Sequence, residues 1–425
     1  LFIVIVSTAF VGLYFRQRKF SHKLDVKSAL AISCLFLMLV LGARLAIPGR
    51  VVIPYIYPLA AFGLTLACLF NVEIGMILSI VISVIATFSS NSSTDLTIFY
   101  LVPSLVGVLI LGRGYRFANF LLSGIAIGIS GSIIVLAFRL TDTNIDFVGI
   151  ATLIGAAFLN GLASASIALV LQSLFSQLLG LTTALGLLDL SRPDHPLLQY
   201  LLFNAPGTYQ HSLQVANLAE RAADAIGADA LLTRVGALYH DAGKASNPQY
   251  FIENQVPGGE NPHSQLEPHK SASIIIQHVL DGITLANQHR LPSRVKDFFL
   301  EHHGTLITRY QYVKAMEKND GEPVDMAPFR YPGPKPGSKE TAILMLADGC
   351  EAKARAELPR TEEELRILVK KVFDYIQQEG QLDNTNLTLR DLHIISETFV
   401  SILKNTHHPR ILYPEAPTRP VSHKS

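Results

Sequence analysis

The first half of the sequence contains six long stretches without a single charged residue. They comprise residues 28–43, 51–72, 74–94, 96–112, 117–138 and 147–188. A helix needs about 20 mainly apolar residues to cross the hydrocarbon core of a bilayer, and each stretch approaches or exceeds that length. Together with the apolar segment 1–15, the pattern predicts seven membrane-spanning helices. The last stretch is too long for one crossing, so its tail, residues 172–188, is expected to lie along the interface or to continue as a helix.

Charged residues and histidines are concentrated after residue 190. Residues 1–190 hold ten of the 35 Lys and Arg residues, six of the 34 Asp and Glu residues and one of the 14 histidines. This distribution excludes a uniformly soluble protein and a disordered chain. The net charge of +1 also excludes a strongly basic nucleic-acid-binding protein. The sequence therefore predicts a membrane domain over residues 1–188, followed by a soluble domain.

Basic residues in the short loops predict the orientation of the membrane domain. The loops on one side carry seven Lys and Arg residues, five of them within residues 16–27, whereas the opposite loops carry three. We therefore expect a multi-pass protein of the cell (inner or plasma) membrane with its C-terminal half in the cytoplasm. With seven spans the N-terminus is expected outside the cell, whereas a six-span alternative would place it inside. The three cysteines show no metal-type spacing and agree with a reducing compartment.

The second half has the periodicity of an all-α domain. A linker is expected over residues 189–206, the helical domain over 207–414 and a C-terminal tail over 415–425. Apolar spacing and helix stop residues predict seven main helices in this domain. They cover residues 209–226, 228–242, 268–288, 292–302, 339–357, 361–379 and 388–405.

Five histidines and two aspartates of this domain fall on inward-facing or helix-end positions. The set is His211, His240, Asp241, His278, His302, His303 and Asp348. A buried carboxylate such as Asp348 is costly unless it is paired or bound to a metal. One zinc ion takes about four ligands, so a set of this size fits two metal ions that share a ligand. Imidazole and carboxylate ligands suit Fe, Mn or Zn.

The ordered set resembles that of the HD-domain metal-dependent phosphohydrolases, whose minimal pattern is H…HD…D. Three strings, PGTYQHS at 206–212, RYPGPKP at 330–336 and MLAD at 345–348, more narrowly resemble the seven-transmembrane HD hydrolases. This resemblance implies a seven-helix transmembrane bundle followed by a cytosolic all-α HD domain that hydrolyses cyclic di-AMP to the linear dinucleotide. That family begins with one more membrane helix and an extracytoplasmic domain, so we expect the sequence, which starts at Leu1, to be a fragment that lacks both.

The resemblance also implies roles for individual residues. The seven side chains would bind two divalent ions, with Mn or Fe expected and Zn as the alternative. Asp241 would bridge the ions, and Lys244 would face the phosphate, so that these two are the expected catalytic residues. Arg330, Tyr331 and Lys335 belong to a loop that either closes over the nucleotide, with Tyr331 stacked on a base, or is a rigid surface loop.

Two other functions stay open at the level of the sequence. The chain could be a membrane receptor whose HD domain binds nucleotide without hydrolysis, or a phosphohydrolase of another nucleotide such as cyclic di-GMP. A related class that cleaves cyclic di-GMP carries Gly-Tyr-Pro after its histidine pair, whereas Gly304-Thr305-Leu306 follows the pair in this chain. The expected partners are a cyclic dinucleotide and the lipid bilayer, with no nucleic-acid polymer, and a homo-oligomer is compatible with the sequence.

Overall fold

The computed structural model describes residues 9, 12–14, 26–88, 94–141, 144–256 and 258–406. Regular structure within these ranges is helical: they contain no β-strand, and one isolated bridge joins Ile307 to Arg330. The chain forms two compact units, the first of Leu1–Arg192 with Pro292–Arg294 and the second of Pro193–Leu291 with Val295–Ser425. The predicted all-α fold is therefore confirmed.

The described part of the first unit consists of eight apolar helices. They are α1 (Val26–Ala46), α2 (Ile53–Ile56), α3 (Ala61–Leu69), α4 (Val72–Phe88), α5 (Thr94–Leu111), α6 (Phe117–Arg139), α7 (Phe147–Leu179) and α8 (Ala184–Leu190). Four of them, α1, α5, α6 and α7, are long and apolar enough to cross a membrane. The predicted span 1–15 lies outside the described residues, apart from residues 9 and 12–14.

The stretch 51–72, predicted as one span, consists of the two helices α2 and α3. Pro58 between them has no amide hydrogen, and it disfavours a helical conformation at Tyr57, whose ψ is 120°. The main-chain oxygen of Tyr57 accepts hydrogen bonds from the Leu59 amide at 2.9 Å and from the Asn160 side chain on α7 at 2.7 Å. The break therefore leaves this carbonyl satisfied, as the interior of a bilayer requires.

Helix α7 is the longest element of the first unit. Its 33 residues span about 50 Å at a rise of 1.5 Å per residue, which exceeds the hydrocarbon core of about 30 Å. The helix ends at Gly180, whose φ of 65° is the left-handed conformation that commonly terminates helices. The tail of the apolar stretch 147–188 therefore continues as a helix as far as Leu179, which is one of the two predicted alternatives. Helix α8 begins after a short break.

The second unit contains nine α-helices within the described ranges. They are α9 (Pro196–Asn204), α10 (Pro206–Ala225), α11 (Ala230–Tyr239), α12 (Pro268–Gln288), α13 (Ser293–Glu301), α14 (Arg309–Lys318), α15 (Lys339–Glu357), α16 (Glu362–Gln378) and α17 (Leu389–Thr406). Helix α10 packs against α11, α15 and α17. The core of the unit includes residues 342–347 of α15, all of which are buried.

The segment predicted as a linker, residues 189–206, contains α9. Pro196 occupies the first turn of that helix, where a missing amide hydrogen breaks no helical hydrogen bond. Leu197, Leu198 and Leu201 are buried. Two differences from the prediction concern helices. The predicted helix 228–242 stops at Tyr239 before a 3₁₀ turn, and α14 forms where the sequence predicts no helix.

Two glycines allow α6 and α7 to pack closely. A Cβ atom at Gly161 would collide with the main-chain oxygen of Gly124 on the neighbouring helix. Membrane helices associate largely through close packing, which small residues at the crossing permit. The crossing of α6 and α7 therefore depends on the absence of a side chain at Gly161.

We predict that Gly161→Ala destabilises the first unit, because the added methyl group forces the two backbones apart. Overpacking of this kind costs about 1–3 kcal/mol. The measurement is the midpoint of thermal unfolding of the detergent-solubilised chain. Gly155→Ala on the same helix is the matched control, since a Cβ there meets no atom within 4 Å and improves helix propensity. Equal midpoints for the two variants would contradict the prediction.

Candidate metal centre

Three helices and two helix-end turns bring the seven predicted site residues together. His211 lies on α10, His240 and Asp241 follow the end of α11, and His278 lies on α12. His302 and His303 follow the end of α13, and Asp348 lies on α15. Gly243 permits part of this convergence, because a Cβ there would collide with the main-chain oxygen of His278.

The side chains form two adjacent groups. Within each group, the possible ligand atoms all lie within 4.8 Å of one another. The His211 cluster consists of His211, His240 and Asp348, and the His278 cluster consists of His278, His302 and His303 together with Asp241. In the first, His211 Nε2 lies 2.9 Å from Asp348 Oδ1. In the second, His278 Nε2 lies 3.3 Å from His302 Nε2. Each group has the donor atoms and the spacing that a metal ion requires.

The carboxylate of Asp241 faces both clusters. Its Oδ2 atom lies 3.8 Å from His211 Nε2 and 3.4 Å from His240 Nε2. Its Oδ1 atom lies 3.3 Å from His278 Nε2 and 3.6 Å from His302 Nε2. One carboxylate thus directs a separate oxygen to each cluster, which is the arrangement expected of a ligand shared by two ions.

Hydrogen bonds from Nδ1 atoms to main-chain carbonyls orient three of the imidazoles. His240 Nδ1 lies 2.8 Å from the carbonyl oxygen of Ala237, and His278 Nδ1 lies 2.5 Å from that of Ile275. His302 Nδ1 lies 2.9 Å from the carbonyl oxygen of Phe299. A carbonyl can only accept, so these Nδ1 atoms carry the hydrogen, and the Nε2 lone pairs are directed to the centre.

Two buried polar atoms of the centre have no hydrogen-bond partner. They are His240 Nε2 and Asp241 Oδ1, and both residues are at most 1% exposed. A buried acceptor without a partner costs about 1–3 kcal/mol. Divalent cations would satisfy both lone pairs and use the other donors around them, so the residues of this site fit metal ions.

The carboxylates of the site strongly affect the neighbouring histidines. Burial opposes protonation of His211, but hydrogen bonds with Asp348 and Glu351 outweigh it and raise the pKa of His211 to about 8. Burial is likewise outweighed at His240, where the charge of Asp241 raises the pKa to about 10. At His303, burial and the neighbouring His302 hold the pKa well below its usual range. The His211 cluster therefore has the stronger electrostatic preference for positive charge.

Lys244 contacts the Asp241 carboxylate directly. Its Nζ lies 2.6 Å from Asp241 Oδ2 and 3.0 Å from Glu253 Oε1, and the side chain is largely buried. Although burial opposes the charge, these two carboxylates hold the pKa of the Lys244 ammonium above its usual value. Lys244 thus holds Asp241 in place, and its contact with a phosphate stays a prediction.

The three predicted substrate-binding residues contact other parts of the chain. Arg330 donates a 2.6 Å hydrogen bond to the main-chain oxygen of Thr305, and Lys335 donates one of 2.8 Å to that of Gly380. The ring of Tyr331 stacks on His303 with a centroid distance of 4.2 Å. These contacts hold the loop beside the histidine pair, and its contact with a nucleotide stays a prediction.

Three residues that the sequence did not indicate contact the site residues or their supports. Glu351 contacts His211, Glu253 contacts Lys244, and Gln381 contacts the turn after the histidine pair. Glu351 carried a signal, because it lies three residues after Asp348 and therefore on the same face of one helix. No local signal marked Gln381, which lies 76 residues from its partner.

Gln381 fixes the turn that carries the histidine pair. Its Oε1 accepts from the Thr305 amide at 2.9 Å, and its Nε2 donates to Thr305 Oγ1 at 3.0 Å. We predict that Gln381→Ala lowers the stability of the second unit by about 1–3 kcal/mol, because buried hydrogen-bonding groups lose their partner. The melting temperature of the detergent-solubilised chain is the measurement. Gln378→Ala, at an exposed position of α16, is the control, and an equal effect of both variants would argue against this role.

Comparisons with known proteins agree with the architecture and with the chemistry of the site. A family model described as "7TM receptor with intracellular HD hydrolase" matches residues 1–183, and the HD-domain model matches residues 208–353. The cyclic-di-AMP phosphodiesterase PgpH of Bacillus subtilis (strain 168) is 36% identical over 95% of this chain and 58% of its own length. PgpH of Listeria monocytogenes serotype 1/2a (strain 10403S) is 34% identical over 97% of this chain and 58% of its own length.

A crystal structure of the L. monocytogenes PgpH HD domain in complex with cyclic-di-AMP is 42% identical in sequence. It covers 52% of this chain and all of that one, with a TM-score of 0.48. The present chain spans somewhat more than half the length of the two full-length relatives. From the two family models and these relatives, the chain belongs to the family of seven-transmembrane receptors with an intracellular HD hydrolase.

Proposed function

We propose that this chain is a metal-dependent phosphodiesterase that hydrolyses cyclic di-AMP to the linear dinucleotide. The observation that carries the proposal is the Asp241 carboxylate, which directs one oxygen to each of two histidine clusters. The names of the two PgpH relatives support the choice of cyclic di-AMP. Metal ligands contact phosphate rather than base, so the centre alone favours no particular nucleotide.

Two divalent ions, Mn or Fe with Zn as the alternative, are proposed as cofactors. The His211 cluster would hold one ion and the His278 cluster the other, with Asp241 shared between them. When bound, the ions supply Lewis-acid stabilisation of the phosphoryl oxygens and an activated water nucleophile. The four imidazoles with Nδ1 partners are fixed in advance, so binding requires little rearrangement of these ligands.

Lys244 contributes positive charge next to the phosphate position in this proposal. Its ammonium group is shared by Asp241 and Glu253, and burial keeps water from screening it. A fixed positive charge of this kind stabilises negative charge that develops on a phosphoryl group, at little cost in reorganisation. Glu253 keeps the ammonium in position, because its carboxylate also accepts a hydrogen bond from Thr208 at 3.1 Å.

The proposal places the second unit in the cytoplasm and the first unit in the cell membrane. Its support is the excess of basic residues in the loops predicted to lie inside, seven against three. We further propose the division into a membrane domain over residues 1–188, an HD domain over 207–414 and a tail over 415–425. In this arrangement the membrane domain regulates a hydrolase that lies on the side where nucleotides occur.

We predict that Asp241→Ala abolishes hydrolysis of cyclic di-AMP and lowers the amount of bound metal, because both clusters lose their shared ligand. The measurements are turnover and elemental analysis of the same detergent-solubilised sample. Asp224→Ala, at an exposed position of α10, is the matched control and should retain both properties. Full activity of Asp241→Ala would refute the assignment.

A panel of cyclic dinucleotides separates the proposal from the two alternatives. We expect cyclic di-AMP to be cleaved faster than cyclic di-GMP. Equal rates would contradict the specificity while leaving the hydrolase intact. Tight binding without turnover in a metal-loaded sample would instead favour a receptor.

The stack of Tyr331 on His303 leads to a separate prediction. Tyr331 is buried and its ring centroid lies 4.2 Å from that of His303, so Tyr331→Ala would remove a packing partner of that imidazole. We therefore expect Tyr331→Ala to lower kcat and metal content, whereas Tyr331→Phe retains both. A rise in KM alone, with kcat and metal content unchanged, would instead indicate that Tyr331 acts by stacking on a base.

A further inference from the structure

His211 differs from the other oriented imidazoles in the group that contacts its Nδ1 atom. The Nδ1 atoms of His240, His278 and His302 are hydrogen-bonded to main-chain carbonyls. His211 Nδ1 instead lies 2.5 Å from Oε2 of Glu351. This imidazole alone among the four is therefore oriented by a charged side chain.

Glu351 is buried and lies on the helix that also supplies Asp348. Its exposure is 3%, and it lies three positions after Asp348 on the same face of α15. Asp348 Oδ1 lies 2.9 Å from His211 Nε2, while Glu351 contacts the other ring nitrogen. One helix thus contacts both nitrogens of His211 and fixes the plane of the ring.

Arg355, one turn further along α15, pairs with Glu351. Its Nη2 lies 3.2 Å from Glu351 Oε2 and also 3.2 Å from His211 Nδ1. A single Nδ1 cannot donate to the carboxylate and accept from the guanidinium at the same time. The carboxylate is nearer and can only accept when ionised, so Nδ1 carries the hydrogen, and Arg355 donates to Glu351. The guanidinium compensates the charge of a carboxylate that would otherwise be costly to bury.

We propose that Glu351 is a positioning residue that sets the affinity of the His211 cluster for its divalent ion. An ionised carboxylate on Nδ1–H fixes the tautomer of a ligating imidazole and makes its Nε2 a stronger donor to a metal. The His278 cluster has no such side-chain partner at His278 or His302, whose Nδ1 atoms bind the main chain. Glu351 therefore acts on one ion of the two. This inference rests on the proposed two-ion centre.

The test is a titration of the metal-free, detergent-solubilised chain with Mn²⁺, followed by calorimetry and by elemental analysis after equilibrium dialysis. Wild type is compared with Glu351→Leu and Glu351→Gln. Glu357→Gln, an exposed position on the same helix, is the matched control. We expect wild type and control to bind two ions. Glu351→Leu should bind one of them about 10- to 100-fold more weakly and the other with unchanged affinity.

Glu351→Gln separates positioning from a merely structural role. The amide oxygen still accepts from Nδ1–H but carries no charge, so this variant should lie between wild type and Glu351→Leu. Excess Mn²⁺ should restore the second ion in both variants. If Glu351→Leu does not fold, the comparison of Glu351→Gln with Glu357→Gln decides the question.

Two results would overturn the inference. The first is unchanged affinity for both ions in the Glu351 variants, and the second is equal weakening of both ions. In either case a wild type that binds two ions leaves the proposed function standing. A wild type that binds no Mn²⁺, Fe²⁺ or Zn²⁺ would overturn the proposed function itself.

Discussion

The arrangement of the second unit depends on the burial of one carboxylate. Asp241 is 1% exposed, and an isolated ionised group at such a position costs several kcal/mol. Four imidazole Nε2 atoms from two helices and two helix-end turns lie within 3.8 Å of it, and the Lys244 ammonium lies at 2.6 Å. The imidazole and ammonium groups that these elements bring to Asp241 compensate the negative charge of its buried carboxylate. The same convergence produces the two clusters of metal-binding atoms.

Local helix geometry orients three of the five histidines of the centre. His240, His278 and His302 each contact the carbonyl oxygen of the residue three positions earlier in the chain. Their orientation therefore requires no partner from a distant segment and forms together with the helix itself. His211 is oriented instead by α15, so its geometry depends on how two helices pack.

The sequence predicted the centre better than it predicted the surroundings. Helical spacing placed His211 and His278 on inward faces, and both are buried in the structure. The positions of Glu253 and Gln381 depend on contacts between segments far apart in the chain, which periodicity does not contain. The basic residues Arg330 and Lys335 suggested substrate contacts, yet charge alone does not reveal that a neighbouring carbonyl binds each of them.

The length of α7 has a mechanical consequence for the membrane unit. Even at a tilt of 40°, a helix of about 50 Å has a height of about 38 Å, so part of it extends beyond the hydrocarbon core. A continuous helix moves as a rod: a change in tilt of about 10° around its midpoint displaces its end by about 4 Å. Because α7 ends at Gly180, a small change in the tilt of α7 inside the bilayer would move Gly180 laterally outside the hydrocarbon core.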